Sequence, residues 1–264
     1  MKPSGIVALI TDYGLQDQYV GVMKGAVLSA NPEARLVDIS HEIPPQDASE
    51  AGRILAACLP YFPKGTVFVA VVDPGVGTER AILGAETVTD RQIVLAPDNG
   101  LLGHLNRHGD LRRIVTIRES KYFRKPVSRT FHGRDIFAPI AGLLSAGSPL
   151  TRFGPEVTQL EEDPIALRLG PGRVEGEVVA IDRFGNLITN IHKCLLPDDG
   201  NVRVSVGRKT LRKLSRTYAD VPKGGLLALI GSTDHLELSV NQGSAAKAAR
   251  IHKGDRVLVT RSRR

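Results

Sequence analysis

The sequence predicts an α/β fold, with a mainly parallel sheet flanked by helices, followed by an all-β, barrel-like domain. Three observations carry this. Up to residue 163, apolar runs of strand length alternate with helical stretches of 10–12 residues. Those runs are continuous rather than alternating, as suits strands covered on both faces. After a Pro/Gly-rich stretch the texture changes to short β-like runs separated by turns.

In order along the chain, Gly5–Ile10 is an apolar strand ending in the polar pair Thr11–Asp12. Residues 19–30 place Val20, Met23, Val27 and Leu28 at helical spacing, and Asn31–Pro32 stops the helix. Arg35–Ile39 reads as the next strand, and Ala48–Leu59 as a second helix closed by Pro60. Thr66–Val72 is a β-branched strand broken by Asp73–Pro74–Gly75, and Gln92–Ala96 is another, broken by Pro97–Asp98–Asn99–Gly100. A further helical run is Ile136–Ala146. Strands separated by helices in this way are βαβ units. Residues 164–172 read as a linker between an α/β domain, 1–163, and a β domain, 173–264. In the second domain Val174–Ile181, Asn201–Val206, Leu226–Ile230, Leu236–Val240 and Arg256–Thr260 are short strands, with turns at Asp198–Asp199–Gly200 and Lys223–Gly224–Gly225. One short helix fits Ser244–Arg250.

Composition narrows the function classes. Among 264 residues, 42% are hydrophobic and 24% charged, which excludes wholesale disorder. The longest apolar run, Thr66–Val72, is far short of the roughly 18 residues a membrane span needs. Residues 1–5 lead into a strand with no signal-peptide core, and Cys58 and Cys194 make no disulfide framework, so a cytoplasmic setting is expected. Residues 1–163 carry 17 basic and 19 acidic side chains, a net −2, and residues 164–264 carry 18 and 9, a net +9. The basic residues are scattered singly or in pairs apart from Arg261–Arg264, with no aromatics interleaved, which reads as a solvated face rather than a nucleic-acid surface.

In an open parallel sheet, ligands bind beyond the carboxyl ends of the strands. Asp12, Asp73 and Asp98 all sit there. Any one alone is a good turn residue; three at one edge point to a site. Thr130–Phe131–His132–Gly133–Arg134–Asp135 adds the one histidine that lies within such a polar cluster, while His41 lies at another strand end. In the second domain Asp182–Arg183–Phe184–Gly185–Asn186 and Thr189–Asn190 could read a base, by an Asn edge and a stacked Phe, or could simply form a hairpin turn with Gly185 at positive φ. No complete GxGxxG, P-loop, HExxH or paired CxxC is present, and no two carboxylates fall at a recognisable metal-ligand spacing.

Six motifs in register resemble the S-adenosyl-L-methionine (SAM) hydroxide adenosyltransferase family, relatives of the SAM-dependent fluorinase and chlorinase. They are Thr11-Asp12-Tyr13-Gly14 with Asp17, Val72-Asp73-Pro74-Gly75-Val76-Gly77 with Arg80, Ala96-Pro97-Asp98-Asn99-Gly100-Leu101-Leu102, Phe131-His132-Gly133-Arg134-Asp135, Asp182-Arg183-Phe184-Gly185-Asn186 with Thr189-Asn190-Ile191, and Leu236-Glu237-Leu238 with Asn241. The resemblance implies hydrolysis of SAM at C5′ to adenosine and L-methionine, with no metal and no cofactor. It also implies a homotrimer, with SAM lying between the first domain of one subunit and the second domain of its neighbour. By motif, Asp73, Arg80 and His132 would hold the water. Asp12 would hold the ribose hydroxyls, Asp17 and Asp182 the methionine amine, and Ser232 the methionine carboxylate. Asn186 would meet the adenine edge, with Glu237 and the backbone near Val240 at the rim. The halogenases carry Tyr at the positions matching Asp73 and His132; an anionic Asp73 would repel a desolvated halide but accept from water. A halogenase using chloride, a non-catalytic SAM or adenosine sensor, and a nucleic-acid-binding protein are the competing expectations.

Overall fold

A computed structural model describes residues 3–163, 166–197 and 201–261. In the first of its two compact units, residues 1–164, the order of elements is β1 (Ile6–Thr11), α1 (Tyr19–Ala30), β2 (Arg35–Ser40), α2 (Ala48–Cys58), β3 (Val67–Val71), β4 (Ile82–Thr87), β5 (Ile93–Pro97), α3 (Gly103–Arg107), β6 (Leu111–Thr116), α4 (Ala138–Ser145) and β7 (Glu156–Val157). The strands form one sheet in the order β2-β1-β3-β5-β4-β6-β7. Its β2-β1-β3-β5 half is parallel, as the βαβ pattern requires, and its β5-β4-β6-β7 half is antiparallel.

Successive residues of a strand face opposite sides, so each continuous apolar run feeds two cores. Val7 and Leu9 of β1 and Val67, Val69 and Val71 of β3 pack with Met23 and Val27 of α1 and with Ile140, Ala141 and Leu144 of α4. Ala8, Ile10, Phe68 and Ala70 face the other way, onto Ala51 and Leu55 of α2. The stripe expected on α1 holds at Val20, Met23 and Val27, whereas Leu28, 38% exposed, falls off it. Asp47 starts α2, its carboxylate accepting from the Glu50 amide at 3.0 Å.

The second unit, residues 165–264, comprises β8 (Arg168–Gly170), β9 (Arg173–Ile181), β10 (Leu187–His192), β11 (Val202–Val206), β12 (Lys209–Leu211), β13 (Leu226–Ile230), β14 (His235–Val240), α5 (Ala245–Ala249) and β15 (Arg256–Arg261). All its pairings are antiparallel, in the order β12-β11-β15-β9-β10-β14-β13, with β8 on β9. The long β9 joins the two halves. Its first part pairs with β15 and its last part with β10, which bends the sheet into the expected barrel-like form. Val174, Val178 and Ala180 alternate inward along it. Within the stretch expected to be a linker, Arg168–Gly170 is strand β8, and residues 164 and 165 lie outside the described residues. The expected turn at Asp198–Asp199–Gly200, the last three residues of the basic tail and the first two residues of the chain lie outside them too.

Candidate active site

Register sets the site. β1 and β3 are parallel neighbours whose last paired residues are Thr11 and Val71. Tyr13 and Asp73 therefore both stand two residues beyond that pair, at the same sheet edge. The β1 end is fastened by His41, which is buried. Its Nδ1 pairs with the Thr11 hydroxyl at 2.8 Å, its Nε2 with Asp38 at 3.0 Å, and its carbonyl accepts from the Gly14 amide at 2.8 Å. His41 thus braces the loop. Asp98, after β5, also has a structural task, its carboxylate accepting from the Glu161 amide at 2.7 Å. Its neighbour Asn99 donates to the Val72 carbonyl at 2.9 Å and so holds the backbone entering Asp73.

From Asp73 the chain folds back through two turns, Val76 to the Asp73 carbonyl and Thr78 to the Gly75 carbonyl, each at 3.2 Å. This returns Arg80 to Asp73. The guanidinium donates to both carboxylate oxygens, Nε to Oδ1 at 2.8 Å and Nη2 to Oδ2. Nη2 also donates to His132 Nδ1 at 3.0 Å. The Asp73 and Arg80 side chains are only 5% and 9% exposed, so this is a buried, bidentate pair. Because a guanidinium can only donate, Nδ1 of His132 is the acceptor and the ring proton sits on Nε2. Burial first, then the Arg80 charge, hold this imidazole below its ordinary pKa; Asp73 and Asp135 offset that only in part. His132 is therefore neutral at neutral pH.

His132 is delivered by a turn of π-helix, Gly133–Phe137, that leads into α4. Such bulges recur at functional sites. Asp135 anchors it, fully buried and accepting from Arg134 Nε and Nη2 at 2.7 Å and from the Ser128 amide at 2.8 Å. Burial alone would raise the Asp135 pKa, but those hydrogen bonds more than offset it and the carboxyl lies below its ordinary value. Beside this turn, Tyr13, Tyr19 and Phe131 form an aromatic cluster with centroids 5.3–6.1 Å apart. They line an open cleft of about 660 Å³ together with Asp12 and Arg134. Asp12 is half-buried, its Oδ2 accepting from the Gln46 amide at 3.0 Å, and Asp17 is exposed on the bend before α1.

The residues expected from the second unit form their own group. Asp182 and Asn186 close the β9–β10 hairpin. Asp182 Oδ1 accepts from the Phe184 and Asn186 amides and Oδ2 from Asn186 Nδ2, each at 2.9 Å. The motif forms the hairpin turn that its glycine allows. Gly185 has φ +85°, and a Cβ there would lie 2.1 Å from the Ser244 hydroxyl. Phe184 stands 75% exposed beside it, free to stack on a flat ligand. Ser232 lies exposed in the β13–β14 turn, and Val240 is buried at the end of β14. Glu237, expected at a rim, is buried and accepts from Tyr218 Oη at 2.9 Å and Ser239 Oγ at 2.6 Å. Burial, then the bond to Glu237, push the Tyr218 phenol up to about 12. Tyr218 had no motif to announce it, and Tyr13 sat inside a quoted motif without a role.

Two family models cover the chain, the SAM hydroxide adenosyltransferase N-terminal domain over residues 7–154 and its C-terminal domain over residues 176–258. The chain belongs to the SAM hydroxide adenosyltransferase family. It is 40% identical to the (R)-S-adenosyl-L-methionine hydrolase of Thermus thermophilus, over 96% of this chain and 98% of that one. A more distant relative, the fluorinase of Actinopolyspora mzabensis, is 28% identical over 97% of each chain. The crystal structure of an uncharacterized conserved protein from Thermotoga maritima superposes with a TM-score of 0.89 at 37% identity, over 97% of this chain and all of that one. The fold expected from sequence is the fold of this SAM hydroxide adenosyltransferase, with an antiparallel half added to its first sheet. Among the described residues no helix is long and apolar enough to cross a membrane.

Proposed function

We propose that this enzyme hydrolyses SAM at C5′ to adenosine and L-methionine. The observation that carries the proposal is the convergence of three side chains on one point: Arg80 ties the Asp73 carboxylate and the neutral His132 imidazole together. One lone pair of a held water forms the bond to C5′, and the C5′–S electron pair departs to sulfur as a neutral thioether. No acid is needed for that departure, and neither a metal nor a cofactor has a step to perform. One water proton passes to Asp73, while His132 Nε2–H donates to the hydroxide-like oxygen. Alignment of water with the C5′–S bond supplies much of the rate, and a placed base adds about 10²–10⁴-fold.

In this reading Asp12 holds the ribose, Asp17 and Asp182 the amine, Ser232 the carboxylate and Asn186 the adenine, with Glu237 and Val240 supporting the second-unit wall. The proposed assembly is a homotrimer, so that a substrate held by the first unit of one chain meets the second unit of its neighbour. Light scattering should then give three times the 28.5 kDa chain mass. The proposed setting is the cytoplasm, where Cys58 and Cys194 stay free thiols. The names of the relatives extend the proposal to the R epimer at sulfur.

The deciding experiment incubates the purified protein with SAM and separates the products. Adenosine and methionine should appear in equal amounts without added metal, and chloride should yield no chlorinated nucleoside. SAM left intact at a saturated site would refute hydrolysis and favour a sensor.

A further inference from the structure

Tyr13 is a polar side chain at this sheet edge to which the hydrolytic reading gives no task. It stands level with Asp73, two residues past the paired Thr11 and Val71. Its ring is packed edge-on to Phe131, and it lines the open cleft next to Asp12. The hydroxyl lies against the backbone of Gly133, the residue after His132. A Cβ on Gly133 would come within 2.5 Å of Tyr13 Oη, whereas its other nearest contacts would be ordinary ones at 3.4 Å. A Cβ at Gly133 would therefore have to displace the phenol. Among the described residues Oη makes no hydrogen bond to protein, so its hydrogen is left for an acceptor that the ligands bring.

We propose that the Tyr13 hydroxyl is a fourth group on the nucleophilic water, donating its hydrogen to the oxygen that attacks C5′. This rests on the hydrolytic reading and extends it. A hydroxide-like oxygen has three lone pairs. Two accept from His132 Nε2–H and Tyr13 O–H, and the third forms the bond to C5′. Tyr13 loses no proton in the step. Burial, then the negative charges of Asp12 and Asp73, raise its pKa well above the ordinary phenol value, so the donor persists at any pH the enzyme meets.

The test is a double-mutant cycle of Tyr13→Phe and Gly133→Ala. Phe keeps the ring packing and deletes the donor. Tyr13→Phe should lower kcat about 10²-fold. KM for SAM and the affinity for adenosine should stay within about twofold of wild type, and the melting temperature within about 2 °C. Gly133→Ala should cost kcat heavily when Tyr13 is present, by displacing the phenol, but add less than about threefold in the Tyr13→Phe background. An unchanged kcat in Tyr13→Phe would overturn the proposal. So would a loss confined to KM and adenosine affinity, which would make Oη a ribose contact. Equal costs of Gly133→Ala in both backgrounds would also overturn it. A wild-type enzyme that leaves SAM intact would instead refute the hydrolytic reading itself.

Discussion

The two units hold their candidate site residues in different ways. In the first, charged groups far apart in sequence meet at strand ends. Arg80 reaches back 7 residues to Asp73 and across 52 to His132. In the second, the polar groups are held locally. Asp182 bonds within its own hairpin, and Glu237 accepts from Ser239 Oγ two residues on and from Tyr218 Oη 19 residues before it. In the proposed reading the first arrangement fixes charges and protons for the chemical step, and the second offers amide edges, a hydroxyl and an exposed ring for recognition. Substitutions in the Arg80 network should therefore act on kcat and those in the second unit on KM.

The strongest test of that division is Arg80→Ala. It removes the bonds to Asp73 and to His132 at once and leaves Asp73 buried without its cation, so kcat should fall at least about 10³-fold. Stability should drop by about 3 kcal/mol in a urea titration, because a buried charge loses its partner. Next in size is pH. The His132 pKa is lowered in the folded enzyme, so the neutral ring persists below the ordinary histidine value near 6.5. The acid limb of a kcat/KM profile should lie below that value with a slope of one proton; a limb above it would contradict the arrangement. In the second unit, Asn186→Ala should raise KM about 10-fold and leave kcat within about threefold, measured with saturating SAM. An equal fall in kcat would erase the contrast between the units. Smallest is Asp47→Ala, which removes the cap of α2 and should cost about 1 kcal/mol with kinetics unchanged.

The parallel half of the first sheet was legible because β1, β3 and β5 are apolar on both faces, a pattern few other elements share. β4 and β6 escaped notice for the opposite reason. Gly84 interrupts one, Arg112 and Arg113 begin the other, and their partners are distant in sequence. β10 was hidden inside the Asn186–Asn190 motif, whose polar alternation reads as loop. At the site, strand-end logic picked out Asp12, Asp73 and Asp98 together, yet only Asp73 lies in the Arg80 network. Joining Arg80 and His132 to it needed the family resemblance, since no spacing encodes a pairing across 52 residues. Tyr13 stood inside the Thr11-Asp12-Tyr13-Gly14 motif with no role, because its closeness to Gly133 depends on a contact across 120 residues that no local pattern carries.

The shared step of two residues beyond Thr11 and Val71 has a consequence for how this scaffold can be altered. Consecutive Cα atoms are 3.8 Å apart, which exceeds the tolerance of a hydrogen bond. One residue inserted between Thr11 and Tyr13, or between Val71 and Asp73, would put the two side chains out of step however conservative the insert. Surface loops elsewhere can lengthen at little cost. For anyone grafting new specificity onto this chain, the length of these two loops is as fixed as the Asp12, Tyr13 and Asp73 they carry.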